Sequence, residues 1–146
     1  DKPLVILGAG GMACAFAQAA KELGNNASIC ARDEEKAKQL AERFGLKTIN
    51  WNDWDNLNDT IVCNATPIGM SSEELQIPKN AVNSLAGVFD TVASPANTKL
   101  VAAAKAASLP VVSGDMLSLE QACLQFKLYT GVSAPREIMR EAMYGN

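Results

Sequence analysis

A chain of 146 residues with 48% apolar side chains has the length of one domain and the material for a core. Its net charge of −3 and a pI near 4.9 argue against a nucleic-acid partner, which asks for a basic face. The absence of histidine removes the commonest acid–base group and metal ligand, so no metal site is expected, and no run approaches the ~18 apolar residues of a membrane span or reads as a secretory leader.

Leu4-Val5-Ile6-Leu7 is an unbroken apolar run that stops at Gly8, the pattern of a strand buried on both faces. A helix is expected from about Gly11 to Leu23, with Ala13, Phe16, Ala17, Ala20 and Leu23 on one face and Gly24 as its stop. Ala27 to Ala31 reads as the second strand, and Asp33 opens a helix that runs to Phe44. Lys47 to Ile49, Thr60 to Asn64 and Gly87 to Val92 read as strands three to five. An alanine-rich helix over Asn97 to Ser108 and a sixth strand over Leu109 to Val112 follow. Two helices close the chain, Met116 to Tyr129 and Pro135 to Met143, with Pro135 in a first turn that does not need its N–H. The longest irregular segment, Pro67 to Lys79, follows a strand end. This rhythm predicts a parallel sheet with right-handed crossovers. Six strands opening on a glycine-rich turn predict the α/β doubly wound, Rossmann-type dinucleotide-binding fold, with residues 1–146 as one domain. The four cysteines, Cys14, Cys30, Cys63 and Cys123, each sit in an apolar run without paired spacing, as reduced thiols of a cytoplasmic protein would.

Gly8-Ala9-Gly10-Gly11-Met12-Ala13 fits G-x-G-x-x-G/A between a buried strand and a helix, the context that gives the motif meaning. Gly8 serves the tight turn, Gly10 the approach of backbone to a pyrophosphate, and small Ala13 the packing of helix on strand. The helix N-terminus then offers free N–H groups and a positive dipole end to phosphates. An NAD site places an acid at the end of the second strand to bind the ribose hydroxyls. Here Cys30-Ala31 is followed by Arg32, with Lys36 one helical turn on. A guanidinium and an ammonium suit a 2′-phosphate, so NADP (NADPH) is the expected cofactor. Asp33 has two readings, N-cap of the following helix or a ribose-binding acid of the NAD type.

Asn64-Ala65-Thr66-Pro67-Ile68-Gly69-Met70 resembles the N-A-T-P-x-G-M stretch of the shikimate and quinate/shikimate dehydrogenases. The glycine turn is similar to that family's, and Ala31 to Lys36 resembles its N-R-T-x-x-R/K clamp. Gln121 to Gly131 resembles its Q-A-x-x-Q-F-x-L-W-T-G helix. The resemblance implies that Gly8, Ala9, Gly10 and Gly11 hold the pyrophosphate, and Arg32 and Lys36 the 2′-phosphate. It implies that Asn64, Ala65 and Thr66 line the path to the nicotinamide and that Gln121 reaches the substrate. The implied reaction is reversible hydride transfer between NADPH and 3-dehydroshikimate, or a related cyclic hydroxy acid such as quinate.

Departures fall mostly on the substrate side. Ala31 and Asp33 replace the clamp's Asn and Thr, Cys14 stands where Arg is usual, Ala93 where a substrate-contacting Tyr is, and Ser113 where Asp precedes Gly. A paralogue with another substrate, or a non-catalytic ligand-sensing module of the same family, therefore stays open. The family carries its catalytic Lys–Asp pair in an N-terminal substrate domain, and this sequence starts immediately before the first Rossmann strand. The expectation is a domain fragment, inactive alone, whose catalytic residues lie elsewhere. Ile138, Met139, Ala142 and Met143 form an apolar stripe at helical spacing, which predicts docking to that substrate domain or self-association.

Overall fold

A computed structural model describes residues 2–71 and 74–145. The six strands are β1 (Leu4–Leu7), β2 (Ala27–Cys30), β3 (Lys47–Ile49), β4 (Ile61–Asn64), β5 (Gly87–Asp90) and β6 (Val111–Val112). The helices are α1 (Gly11–Glu22), α2 (Glu34–Phe44), α3 (Lys79–Val82), α4 (Lys99–Ala106), α5 (Gly114–Thr130) and α6 (Arg136–Tyr144). Every strand pair is parallel and the order is β3-β2-β1-β4-β5-β6. This is the doubly wound arrangement. The chain winds outward from β1 in one direction, returns, and winds outward from β4 in the other.

The apolar run of β1 is explained by two covered faces. Ile6 packs with Ala13 and Ala17 of α1 and Ala37, Leu40 and Phe44 of α2. Its neighbours Val5 and Leu7 point the other way, toward Val82, Leu100 and Ala104 of α3 and α4. Alternation along a strand sends successive side chains to opposite layers, so a central strand needs apolar residues throughout.

Element boundaries differ from the sequence expectations for local reasons. Leu23 falls outside α1 as its C-cap and is 74% exposed, so it is not on the buried face. Thr98 caps α4, its hydroxyl accepting from the Val101 N–H at 3.2 Å, which starts that helix later than Asn97. Pro135 is the N-cap of α6 rather than its first residue. A 3-10 turn (Trp54–Leu57) and α3 went unforeseen because four residues are too few to show a period. Helix α5 begins at Gly114, two residues before the expected Met116, and glycine there lets the helix start press against Val92, just past β5. A Cβ built on Gly114 would lie 2.2 Å from the Val92 carbonyl oxygen.

Beyond that contact α5 leaves the sheet and pairs with α6. The Arg136 guanidinium donates to Glu120 (2.8 Å), and the Cys123 and Met139 sulfurs meet at 4.0 Å. The α6 stripe is divided by this pairing: Met139 is half-buried against α5, while Ile138 (67%) and Met143 (43%) remain exposed. Among the described residues no helix is long and apolar enough to cross a membrane, and no cluster of metal-ligating side chains occurs.

Candidate functional site

Strand order reverses between β1 and β4, which opens a crevice beyond their C-terminal ends. The glycine turn lies on one side of it. Gly8 adopts φ +110°, and a Cβ there would meet the Ala65 carbonyl oxygen at 3.1 Å and Thr66 Cγ2 at 3.2 Å. The turn therefore rests directly on the segment that follows β4. Gly10 is the N-cap of α1, with no side chain to satisfy the first N–H groups, and no acid sits in the first turn. Added Cβ atoms on Gly10 and Gly11 would meet nothing within 4 Å. The result is an uncapped helix N-terminus facing open space, suited to receive phosphate oxygens. Ala9 is half-buried beside it, and fully buried Ala13 packs into the core.

The end of β2 supplies the cations. Ala31 is buried, whereas Arg32 and Lys36 are exposed. Asp33 is the N-cap of α2, its carboxylate accepting from the Lys36 N–H at 3.1 Å, which is the capping alternative raised by the sequence. That backbone hydrogen bond, followed by the bond and charge of the Lys36 side chain, holds its carboxyl below the usual carboxylate range. Lys36 Nζ lies 3.0 Å from Asp33 Oδ2. The Arg32 guanidinium lies over the Trp51 ring, 5.3 Å from its centroid, and 3.7 Å from a Glu74 carboxylate oxygen. Arg32, Trp51, Gly8, Thr66, Pro67 and Ile68 line a cleft of about 230 Å³.

The segment after β4 is held by a buried polar network. Asn64 and Asp90, both fully buried, end neighbouring strands and pair in register. Asn64 Nδ2 donates to Asp90 Oδ1 (2.8 Å) and to the Ile68 carbonyl (3.3 Å). Asn64 Oδ1 accepts from the Thr66 hydroxyl (2.7 Å) and N–H (3.0 Å). Asp90 also accepts from the Thr98 hydroxyl (2.6 Å) and the Val92 N–H (3.1 Å). Gln76 Nε2 donates to the Ile68 carbonyl from behind (2.8 Å). Asn64 thus acts from beneath the loop, while half-buried Ala65 and Thr66 form its surface against the glycine turn.

Gly8 to Gly11, Arg32, Ala65 and Thr66 gather beyond the C-terminal ends of β1, β2 and β4, whereas Lys36 lines a separate depression with Ala9, Gln39, Leu40 and Arg43. Gln121 lies exposed about two turns into α5, and Ala93 is exposed beyond β5. Ser113 is buried, its hydroxyl donating to Asp115. Sequence reasoning missed Asp90, Thr98 and Trp51. A lone acid in the apolar stretch Gly87-Val88-Phe89-Asp90 was a usable signal, since such a residue must find donors; Trp51 carried none. Burial pushes the Cys30 and Cys63 thiols up to about 12, at Cys30 with help from the Asp53 charge, which makes both poor nucleophiles.

The chain is similar to known proteins in sequence and in fold. The Shikimate 5'-dehydrogenase C-terminal domain family matches residues 118–144, and the family described as NADP oxidoreductase coenzyme F420-dependent matches residues 3–76. The chain is 37% identical over 148 aligned positions to the chloroplastic bifunctional 3-dehydroquinate dehydratase/shikimate dehydrogenase of Arabidopsis thaliana, covering 98% of this chain and 24% of that protein. It is 33% identical over 150 positions to the shikimate dehydrogenase (NADP(+)) of Archaeoglobus fulgidus, covering 97% of this chain and 55% of the other. The solved shikimate 5-dehydrogenase of Thermus thermophilus, in complex with NADP(H) and shikimate, superposes with a TM-score of 0.83 at 29% identity. That match covers 96% of this chain and 53% of the solved one, so the chain spans about half the length of such relatives, or less. With the glycine turn, the loop after β4 and the α5–α6 region all matched in order, the chain belongs to the shikimate dehydrogenase family and represents its C-terminal, Rossmann-type domain.

Proposed function

We propose that this chain is the NADP-binding half of a shikimate dehydrogenase-like oxidoreductase. The reaction is reversible hydride transfer between NADPH and 3-dehydroshikimate or a related cyclic hydroxy acid such as quinate. NADPH supplies the hydride; the chain's residues bind and orient. Gly8, Ala9, Gly10, Gly11 and the α1 N-terminus hold the pyrophosphate. Arg32 and Lys36 take the 2′-phosphate, with Asp33 as the cap that orders their helix. Thr66 and Ala65 border the nicotinamide path, and Asn64, fixed by Asp90, keeps them in place. Gln121 reaches toward the substrate, and the group that moves the alcohol proton comes from the remainder of the parent protein, as in the family's Lys–Asp pair.

The observation that carries this reading is the uncapped α1 terminus beside a β2 end that presents Arg32 and Lys36 and no ribose-binding acid on the strand. Arg32→Ala tests it. A charged hydrogen bond contributes ~1.5–3 kcal/mol, so NADPH affinity should fall roughly 10- to 100-fold while NADH affinity barely changes. Fluorescence titration with both cofactors reads the difference. Equal affinity of the unaltered chain for both, or an equal loss in the variant, overturns the NADP assignment and points to Asp33 as a ribose ligand.

A further inference from the structure

The cleft at the end of β2 has a feature that the phosphate-binding residues do not use. Trp51, just past β3, is half-buried, and its ring packs edge-on against Trp54 (5.3 Å between centroids, 77° between planes). Behind, it joins the core cluster that includes Leu57 and Val62; in front, it lines the cleft and carries the Arg32 guanidinium over its face. Pro67 and Ile68 also line that cleft. At about 230 Å³ it is below the ~300–1,000 Å³ of pockets that enclose whole ligands, and suits one flat bicyclic ring. Its lining is mainly apolar and aromatic, and it includes both Gly8 and Arg32.

We propose that Trp51 is a binding and specificity-determining residue: its indole is an aromatic wall of the adenine site, and its attraction for the Arg32 guanidinium keeps that cation beside an adjoining 2′-phosphorylated ribose. This rests on the dinucleotide-binding reading above. An anchored indole loses little freedom when a base stacks on it, and a guanidinium lying on that indole is pre-positioned at the adjoining ribose. Glu74, at 3.7 Å, is a loose competitor that a phosphate of higher charge displaces.

Two measurements test the assignment. In a Trp54→Phe background Trp51 is the sole tryptophan, since the sequence has two. Its emission should be quenched by saturating 2′,5′-ADP, which has the adenine and both phosphates but no nicotinamide to absorb the energy. Trp51→Leu should weaken NADPH and NADH each roughly ten-fold, the order of one aromatic–base stack, with a further few-fold loss for NADPH. Trp51→Phe should restore most of both. Unmoved Trp51 emission, or unchanged affinities in Trp51→Leu, overturns the proposal even though dinucleotide binds. If Trp51→Leu does not fold, the emission measurement decides alone. An unaltered chain that binds neither dinucleotide nor 2′,5′-ADP overturns the functional reading, and this assignment with it.

Discussion

Gly8 and Gly10 share a motif but answer to different constraints. Gly8 is a glycine because of the fold: its positive φ and the Ala65 and Thr66 atoms at its back leave no place for a side chain. Gly10 has an ordinary φ of −93° and open space where a Cβ would go, so nothing in the folded chain demands it. Under the proposed function the demand comes from a pyrophosphate approaching the helix terminus. Gly10→Val should accordingly leave the thermal unfolding midpoint within a few degrees and remove dinucleotide binding. The loss should exceed roughly 100-fold, since several charge-assisted bonds of ~1.5–3 kcal/mol depend on that approach. Normal NADPH titration by the folded variant would place the pyrophosphate elsewhere. Asp33 shows how a single residue serves both levels. Its carboxylate caps α2, yet it also sets a negative charge beside the Lys36 ammonium, which under the proposed function moderates that cation's attraction for a 2′-phosphate.

At the scale of elements, the contact between the start of α5 and the segment just past β5 joins the C-terminal helices to the sheet. The polypeptide turns from Ser113 into α5 with Gly114 pressed against the Val92 carbonyl. Gly114→Ala would place a methyl group 2.2 Å from that oxygen, a backbone atom that cannot rotate away. Overpacking of this kind costs ~1–3 kcal/mol, and each kcal/mol moves the midpoint of a domain this size by about 3 °C or more. The variant should unfold about 3–9 °C lower by calorimetry, and an unchanged midpoint would show that α5 is not seated there. Past this point α5 and α6 bury little: Leu124, Leu128 and Ile138 are each about two-thirds exposed or more. An apolar groove of about 490 Å³ also lies between α1 and the β4–β6 side of the sheet, lined by Phe16, Leu23, Ile61, Phe89 and Val111. It is larger than the cleft at Arg32, but it lies away from the glycine turn and the strand ends that such sheets use for ligands.

At the scale of the whole molecule, the proposed function gives this chain the cofactor side of a catalytic cleft. The chain has no histidine, and Asp90, the acid in strand register with Asn64, has both oxygens engaged by Asn64, Val92 and Thr98. Hydride transfer leaves an alcohol proton to move, which needs a positioned acid–base group and a substrate held in line. The 146-residue chain should therefore bind NADPH yet reduce NADP at no measurable rate with shikimate or quinate. Joining it to the other half of a parent enzyme should restore turnover. Cofactor binding without turnover in the joined protein favours a ligand-sensing module, and turnover by the chain alone would mean that catalytic residues lie within it.

Much of this was legible before any coordinates, and for identifiable reasons. A strand buried on both faces writes itself as an apolar run, a cap as Asp33 before its helix, and a tight strand-to-helix turn as spaced glycines, because each is a local constraint on local residues. The parallel doubly wound sheet followed from strand–helix alternation and the single hand of crossovers. What sequence left open was decided by contacts between distant segments. Only the pairing of β4 with β5 joins Asn64 to Asp90, and only the position of β3 beside β2 brings Trp51 under Arg32. The early start of α5 likewise depends on a carbonyl more than twenty residues earlier. Local periodicity carries no record of such meetings, because they arise when the sheet is assembled and residues far apart along the chain come into contact.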